Sequence, residues 1–273
     1  MCAWRTSMIL LLSATLLPLS CARPQPHNPS TPAPPPSSSS PAPPPPPPPP
    51  PVVTASRVAP DPTVGALFLG AGDLHTCTAA VLHSSIGNLI LTAAHCLAST
   101  YPTNFVPGFS GQADPAHTWT VDAIYLDPRW LGSHDPLADF AIARVHQNGG
   151  TSVESAVGTG LTLGTAPAAG TVVTVTGYPL TVGGTPIGCH GGTEMAPGGF
   201  PSVQCSGMVA GTSGAPWRVD STVVGLIGGL HGGGCDENVS YSPPFDGRLA
   251  DLLHRAEAGG PADTAPEVFS DDC

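Results

Sequence analysis

The chain has 273 residues, a formal net charge of −11 and 10% charged residues, and all eight of its basic side chains are arginines. That balance excludes nucleic acid as an expected partner, because a polyanion needs a basic patch and too few basic side chains exist to build one. With 35 prolines and 33 glycines, part of the length is also withdrawn from any folded core.

Residues 1–22 place Arg5 ahead of an apolar run from Met8 to Leu17 and end on the small residues Ser20 and Ala22. This is the layout of a secretory signal peptide, and the run is short for a membrane span. Cys21 opens an alternative, in which it becomes the lipidated first residue of a lipoprotein. Pro18 and Leu19 depart from that pattern, so cleavage after Ala22 stands beside it. Membrane association is expected only through that lipid. Residues 23–57 form a Pro-rich linker with an unbroken run from Pro43 to Pro51. Such a segment donates few backbone hydrogen bonds and is expected to be disordered or extended polyproline II, a stalk rather than a packed element.

Composition turns globular over 58–258. Val64 to Leu69, Thr78 to Leu82, Leu89 to Leu91, Thr118 to Tyr125, Phe140 to Val145, Thr171 to Thr176 and Thr222 to Ile227 read as strands separated by Gly, Pro and Asn turns. Many short strands predict an all-β barrel or sandwich. A small-residue stretch from Gly149 to Gly164 suggests a division into two parts. One helix is expected near the end, where Leu249, Leu252, Leu253 and Ala256 share a face and Asp246 stands at the N-cap. The acidic tail, 259–273, is expected to be loose apart from Cys273.

In an exported chain the cysteines at 77, 96, 189, 205, 235 and 273 read as up to three disulfides. His231 with Cys235, or Cys189 with His190, also has zinc-ligand chemistry, but the oxidising context favours disulfides, and no metal or cofactor is expected.

Chemistry concentrates in Ala210-Gly211-Thr212-Ser213-Gly214-Ala215-Pro216-Trp217. A serine hydroxyl needs a base and oxyanion donors to act as a nucleophile, and flanking glycines permit the turn that aims backbone N–H groups inward. A polar Gly/Ser turn is the plain alternative, and partners elsewhere decide between them. His95 follows a predicted strand among small residues and precedes Cys96. Asp139 opens an apolar strand, where a buried carboxylate needs a hydrogen-bond donor such as an imidazole. Asp135 competes with it, but the apolar run begins directly after Asp139.

Leu91 to Cys96, Asp139 to Val145 and Gly211 to Pro216 resemble the three signatures of the chymotrypsin-like (trypsin-fold) serine peptidases, in that family's His, Asp, Ser chain order. The resemblance spans about Pro60 to Glu257. It implies two six-stranded antiparallel β-barrels with a C-terminal α-helix, a His95, Asp139 and Ser213 triad, and an oxyanion hole from the amides of Gly211 and Ser213. Gly177-Tyr178-Pro179, the following cysteines and Val239-Ser240-Tyr241 resemble the bacterial secreted branch. The resemblance implies the pairs Cys77–Cys96 and Cys189–Cys205, leaving Cys235 with Cys273. It also implies a monomer acting on protein or peptide substrates.

Departures narrow the activity. Thr212 replaces the aspartate with which digestive members bind a newly cut N-terminus, so no activating cut is expected. Gly207 stands where trypsin-like members select basic side chains with a carboxylate. Gly228 and Gly229 are expected to leave the pocket entrance open, with His231 a candidate contact for an acidic side chain. A catalytically silent trypsin-fold binding module and an esterase using the same triad are the competing readings.

Overall fold

A computed structural model describes residues 53–234 and 238–267, so residues 1–22, most of the linker, Cys235 and Cys273 lie outside the described residues. In chain order the strands are β1 (Ser56–Arg57), β2 (Val64–Leu69), β3 (Leu74–Val81), β4 (Leu89–Thr92), β5 (Thr103–Pro107), β6 (Trp119–Leu126), β7 (Ala141–His146), β8 (Thr162–Leu163), β9 (Val172–Gly177), β10 (Thr181–Val182), β11 (Ile187–Met195), β12 (Pro201–Gln204), β13 (Pro216–Val219), β14 (Thr222–Leu226) and β15 (Val239–Tyr241). Three helices accompany them: α1 (Pro128–Ser133), α2 (Val153–Val157) and α3 (Gly247–Glu257).

The first sheet runs β3-β2-β5-β6-β7-β4, and β4 pairs back onto β3, which closes a six-stranded barrel with β10 added beside β3. Its apolar strands fill one core, with Leu67, Ile90, Phe105, Trp119, Tyr125 and Ile142 all inside. The second sheet runs β15-β12-β11-β9-β13-β14-β8 as a half-barrel. Its ends are tied where Gly228 N–H donates to the Tyr241 carbonyl at 3.1 Å and Leu226 N–H to Ser242 Oγ at 3.0 Å. Val173, Val175, Val203, Trp217 and Ile227 form the core of this second sheet. The expected all-β, two-part architecture with a C-terminal helix is therefore present, one barrel closed and the other open.

Strands that alternate branched apolar residues match their predicted positions within a few residues. The longest one, β11, has no such signal because its sequence is Ile-Gly-Cys-His-Gly-Gly-Thr-Glu-Met. Its glycines answer to close approach: a Cβ on Gly188 would lie 2.8 Å from Val58 Cγ1 and one on Gly191 3.2 Å from Val203 Cγ1.

Both ends of the folded region are held more tightly than expected. Part of the predicted linker enters the second sheet: Ser56 and Arg57 pair with β11, Ala55 N–H donates to the Ser206 carbonyl at 2.8 Å, and Ser206 N–H donates to Val53 at 2.8 Å. At the other end Asp263, in the tail expected to be loose, accepts from Leu126 N–H at 2.8 Å and pairs with Arg255, while Ala265 is buried. The reason is local charge: Arg255 on the last turn of α3 holds both Asp263 and the Leu126 carbonyl.

Helix α3 begins where Asp246 accepts from Arg248 N–H at 2.9 Å, and it buries Leu249, Leu252 and Ala256 against the first core. Leu249→Ala is expected to lower the unfolding free energy by about 3 kcal/mol, the scale for a buried leucine truncated in a core that cannot collapse. Urea unfolding followed by tryptophan fluorescence measures it.

Candidate active site

His95 sits in a 3₁₀ turn, Ala94–Cys96, entered directly from β4. Ala93 and Ala94 are fully buried, and the disulfide Cys77–Cys96, with Cα atoms 6.0 Å apart, binds this turn to β3. Asp139 follows a second 3₁₀ turn, Pro136–Ala138, just before β7, whose Ala141 pairs with Thr92 of β4. The two side chains therefore arrive from adjacent strands. Asp135 does not join them; it caps its own turn by accepting from Leu137 N–H at 3.0 Å.

Asp139 is 1% exposed and His95 7%. The carboxylate accepts three hydrogen bonds, from His95 N–H at 3.0 Å, from His95 Nδ1 at 2.8 Å and from Gly229 N–H at 2.7 Å. Burial pushes the Asp139 carboxyl up, but the charge of His95, its ring hydrogen bond and the two backbone donors outweigh burial and hold the group below its ordinary value. Because Nδ1 must carry the proton that Asp139 accepts, the hydrogen-bond pattern assigns Nε2 as the basic nitrogen.

Ser213 lies in a turn whose glycines have no alternative. Gly211 and Gly214 have φ of +89° and +81°, and a Cβ on Gly214 would fall 2.1 Å from the Thr78 carbonyl and 2.3 Å from Thr92 Oγ1. The serine turn is thus pressed onto β3 and onto the end of β4 that carries His95. Thr78 clasps it: its N–H donates to the Ser213 carbonyl at 2.8 Å, and its hydroxyl donates to the Gly211 carbonyl at 3.1 Å while accepting from Tyr178 N–H at 2.9 Å. Among the described residues the N–H groups of Gly211 and Ser213 donate to none, and Ser213 is half-buried.

The remaining residues singled out from sequence fall in different places. Thr212 is buried, and its hydroxyl donates to the Val209 carbonyl at 2.7 Å, so its polarity is satisfied within the turn. Gly207 lies beside Ala55. Gly228 and Gly229 lie on Asp139, and a Cβ on Gly228 would come within 3.1 Å of its Oδ2. His231 is exposed with φ of +50°, its ring 6.4 Å from that of Tyr241. Cys189 is bonded to Cys205 and His190 lies 3.0 Å from Thr174 Oγ1, which leaves no paired ligands there. Cys77, His95 and Cys96 bring donor atoms within 4.8 Å, but both sulfurs are in the disulfide.

Two positions here carried no sequence signal. Thr78 is one of many hydroxyl residues in strands and turns, as expected for a β protein, and Gly229 acts through its backbone, which no side-chain pattern reveals.

The family model described as Trypsin matches residues 53–188. The chain belongs to the trypsin family. No curated protein matches it. Among solved structures it is similar to the thermostable serine protease AL20 from an extremophilic microorganism, with 23% identity over 72% of this chain and 98% of that one and a TM-score of 0.63. The protease Anisep from Arthrobacter nicotinovorans follows with 22% identity, coverage of 75% and 100%, and a TM-score of 0.64. A Glu endopeptidase is similar with 17% identity, coverage of 76% and 97%, and a TM-score of 0.61. At these identities the likeness is one of fold.

In this trypsin-family domain a second histidine supports the wall behind Tyr178. His75 is 1% exposed in a box formed by Phe68, Phe109 and Tyr178, with its Nε2–H donating to the Gly183 carbonyl at 2.8 Å. Its Nδ1 has no partner among the described residues. Burial lowers its pKa from 6.5, against the smaller opposing effect of the Gly183 bond. The unfolded chain therefore binds a proton that the folded chain resists, so stability is full above the unfolded value and falls as pH drops below about 6.5. His75→Phe is expected to flatten the decline in melting temperature between about pH 6.5 and 5; scanning calorimetry across that range measures it.

Proposed function

We propose that the protein is an exported serine endopeptidase that hydrolyses peptide bonds through an acyl-enzyme intermediate. The observation that carries this reading is the buried Asp139–His95 pair, whose 2.8 Å contact turns Nδ1 to the carboxylate and so makes Nε2 the basic nitrogen. Ser213 Oγ attacks the carbonyl carbon of the scissile bond as Nε2 removes its proton. Asp139 holds the tautomer and stabilises the imidazolium that forms. The amides of Gly211 and Ser213 receive the oxyanion, each such donor being worth about 3 kcal/mol in the transition state. Collapse of the tetrahedral intermediate breaks the C–N bond, and the amine leaves with the proton from Nε2. Water then attacks the ester by the same steps, releasing the acid and returning the proton to Ser213.

The satisfied hydroxyl of Thr212 supports activity without a processed N-terminus, since no buried carboxylate waits there for an amine. Gly207 offers no charge for basic substrates, so cleavage after Arg or Lys is not favoured. Export through residues 1–22, with Cys21 lipidation as the alternative outcome, and action as a monomer belong to the same proposal.

A fluorophosphonate probe is expected to label the purified domain, and Ser213→Ala to abolish the label. Absence of labelling in the folded native protein would favour a binding module. Asp139→Asn is expected to lower kcat/KM on a cleaved peptide by about 10⁴-fold, because the amide inverts the tautomer preference of the imidazole. Circular dichroism of the variant checks that the fold is kept.

A further inference from the structure

Three large apolar side chains stand in solvent around one short ribbon next to the serine turn. Leu74 is 44% exposed, Leu180 47% and Val182 65%. Strand β10 pairs antiparallel with the start of β3, and Val182 stands directly opposite Leu74, so the two side chains share one face of the ribbon. Leu180 immediately precedes β10. Its N–H donates to the Ala210 carbonyl at 2.7 Å, and its backbone N lies 2.1 Å from where a Cβ on Gly211 would be. The apolar surface is therefore continuous in the chain with the backbone that touches the oxyanion turn.

Strand β3 also links this ribbon to the base. Two residues beyond His75 it reaches Cys77, bonded to Cys96 beside His95. Between them the pairing of β3 with β2 shifts, making Thr76 an extra residue, and its buried hydroxyl has no partner among the described residues. A bulge of this kind re-aims side chains. Gly228 and Gly229 contact Asp139 from the segment after β14, and neither carries a side chain to receive a substrate residue.

We propose that Leu74, Leu180 and Val182 form a shelf for the leaving half of the substrate, selecting polypeptides with a large apolar residue just after the scissile bond. This rests on the serine peptidase reading above. The leaving amine takes its proton from His95, so it departs along the flank that His95 shares with β3, and β3 carries Leu74. Exposed apolar side chains contribute nothing to the fold in water, but they gain when a substrate side chain covers them.

Acyl transfer to added amines isolates this side of the site. With a peptide ester as donor, the acyl-enzyme is formed first; leucinamide or glycinamide then attacks the Ser213 ester carbonyl, giving a new amide and restoring the serine hydroxyl. The native protein is expected to use leucinamide about ten-fold better than glycinamide, the scale on which apolar pockets separate side chains. In Leu74→Ser/Val182→Ser the ratio is expected to fall to near one, while Leu131→Ser, an exposed leucine on α1, leaves it unchanged. Equal use of both amines by the native protein, or an unchanged ratio in the double variant, overturns the shelf. Failure to form the acyl-enzyme at all, read as no ester turnover and no fluorophosphonate label, overturns the serine peptidase reading instead.

Discussion

A carboxylate taken almost wholly out of water has to be compensated, and the manner of compensating Asp139 organises this molecule. Three donors converge on it from two separate parts of the chain: the backbone and ring of His95, and the backbone of Gly229. Removing either part would leave a buried charge short of partners, which costs several kcal/mol. The requirement locks the turn after β4, the turn before β7 and the segment after β14 into one arrangement. Glycine at 228 belongs to the same constraint, because any side chain there would crowd the carboxylate.

The serine turn obeys a different constraint, that of backbone approach. Gly214 lies where only hydrogen fits between Thr78 and Thr92, and Gly211 does the same against Leu180. Left-handed backbone at both positions leaves the Gly211 and Ser213 amides without acceptors among the described residues, at the cost of conformational entropy that a glycine gives up on folding. Thr78 offsets part of that cost by binding both carbonyls of the turn. The serine turn therefore lies at the junction of the second sheet with the first barrel, while His95 and Asp139 sit on the first and take a third donor, Gly229, from the second.

How much of this could be read from residues alone follows from where the information lies. His95, Asp139 and Ser213 are legible because each is a chemically distinctive side chain in a distinctive local setting, and the preference for Asp139 over Asp135 follows from the apolar run beside it. Strands such as β2 and β9 are legible from β-branched and apolar alternation. By contrast β11 is built on glycines whose purpose is to admit Val58 and Val203, a property of their neighbours rather than of themselves. The docked tail depends on Arg255 meeting Asp263 and the Leu126 carbonyl, a contact between distant parts of the chain. Backbone donors such as Gly229 N–H leave no mark in the side-chain sequence.

The pairing of Val53, Ala55 and Ser56 with the second sheet has a consequence for how the molecule comes into being. Neither sheet is a continuous piece of polypeptide: the described residues start in the second, pass through the six barrel strands of the first, build the rest of the second with β10 sent back to the first, and return to the first through α3. The contacts that define the site are correspondingly long, 90 residues from Asp139 to Gly229 and 133 from Thr78 to Gly211. Topologies of this kind fold slowly, because loop closure precedes the contacts that compensate it. A chain that stops short of Gly229 has His95 and Asp139 but lacks the third donor, so the buried carboxylate is fully compensated only once the segment after β14 has been made.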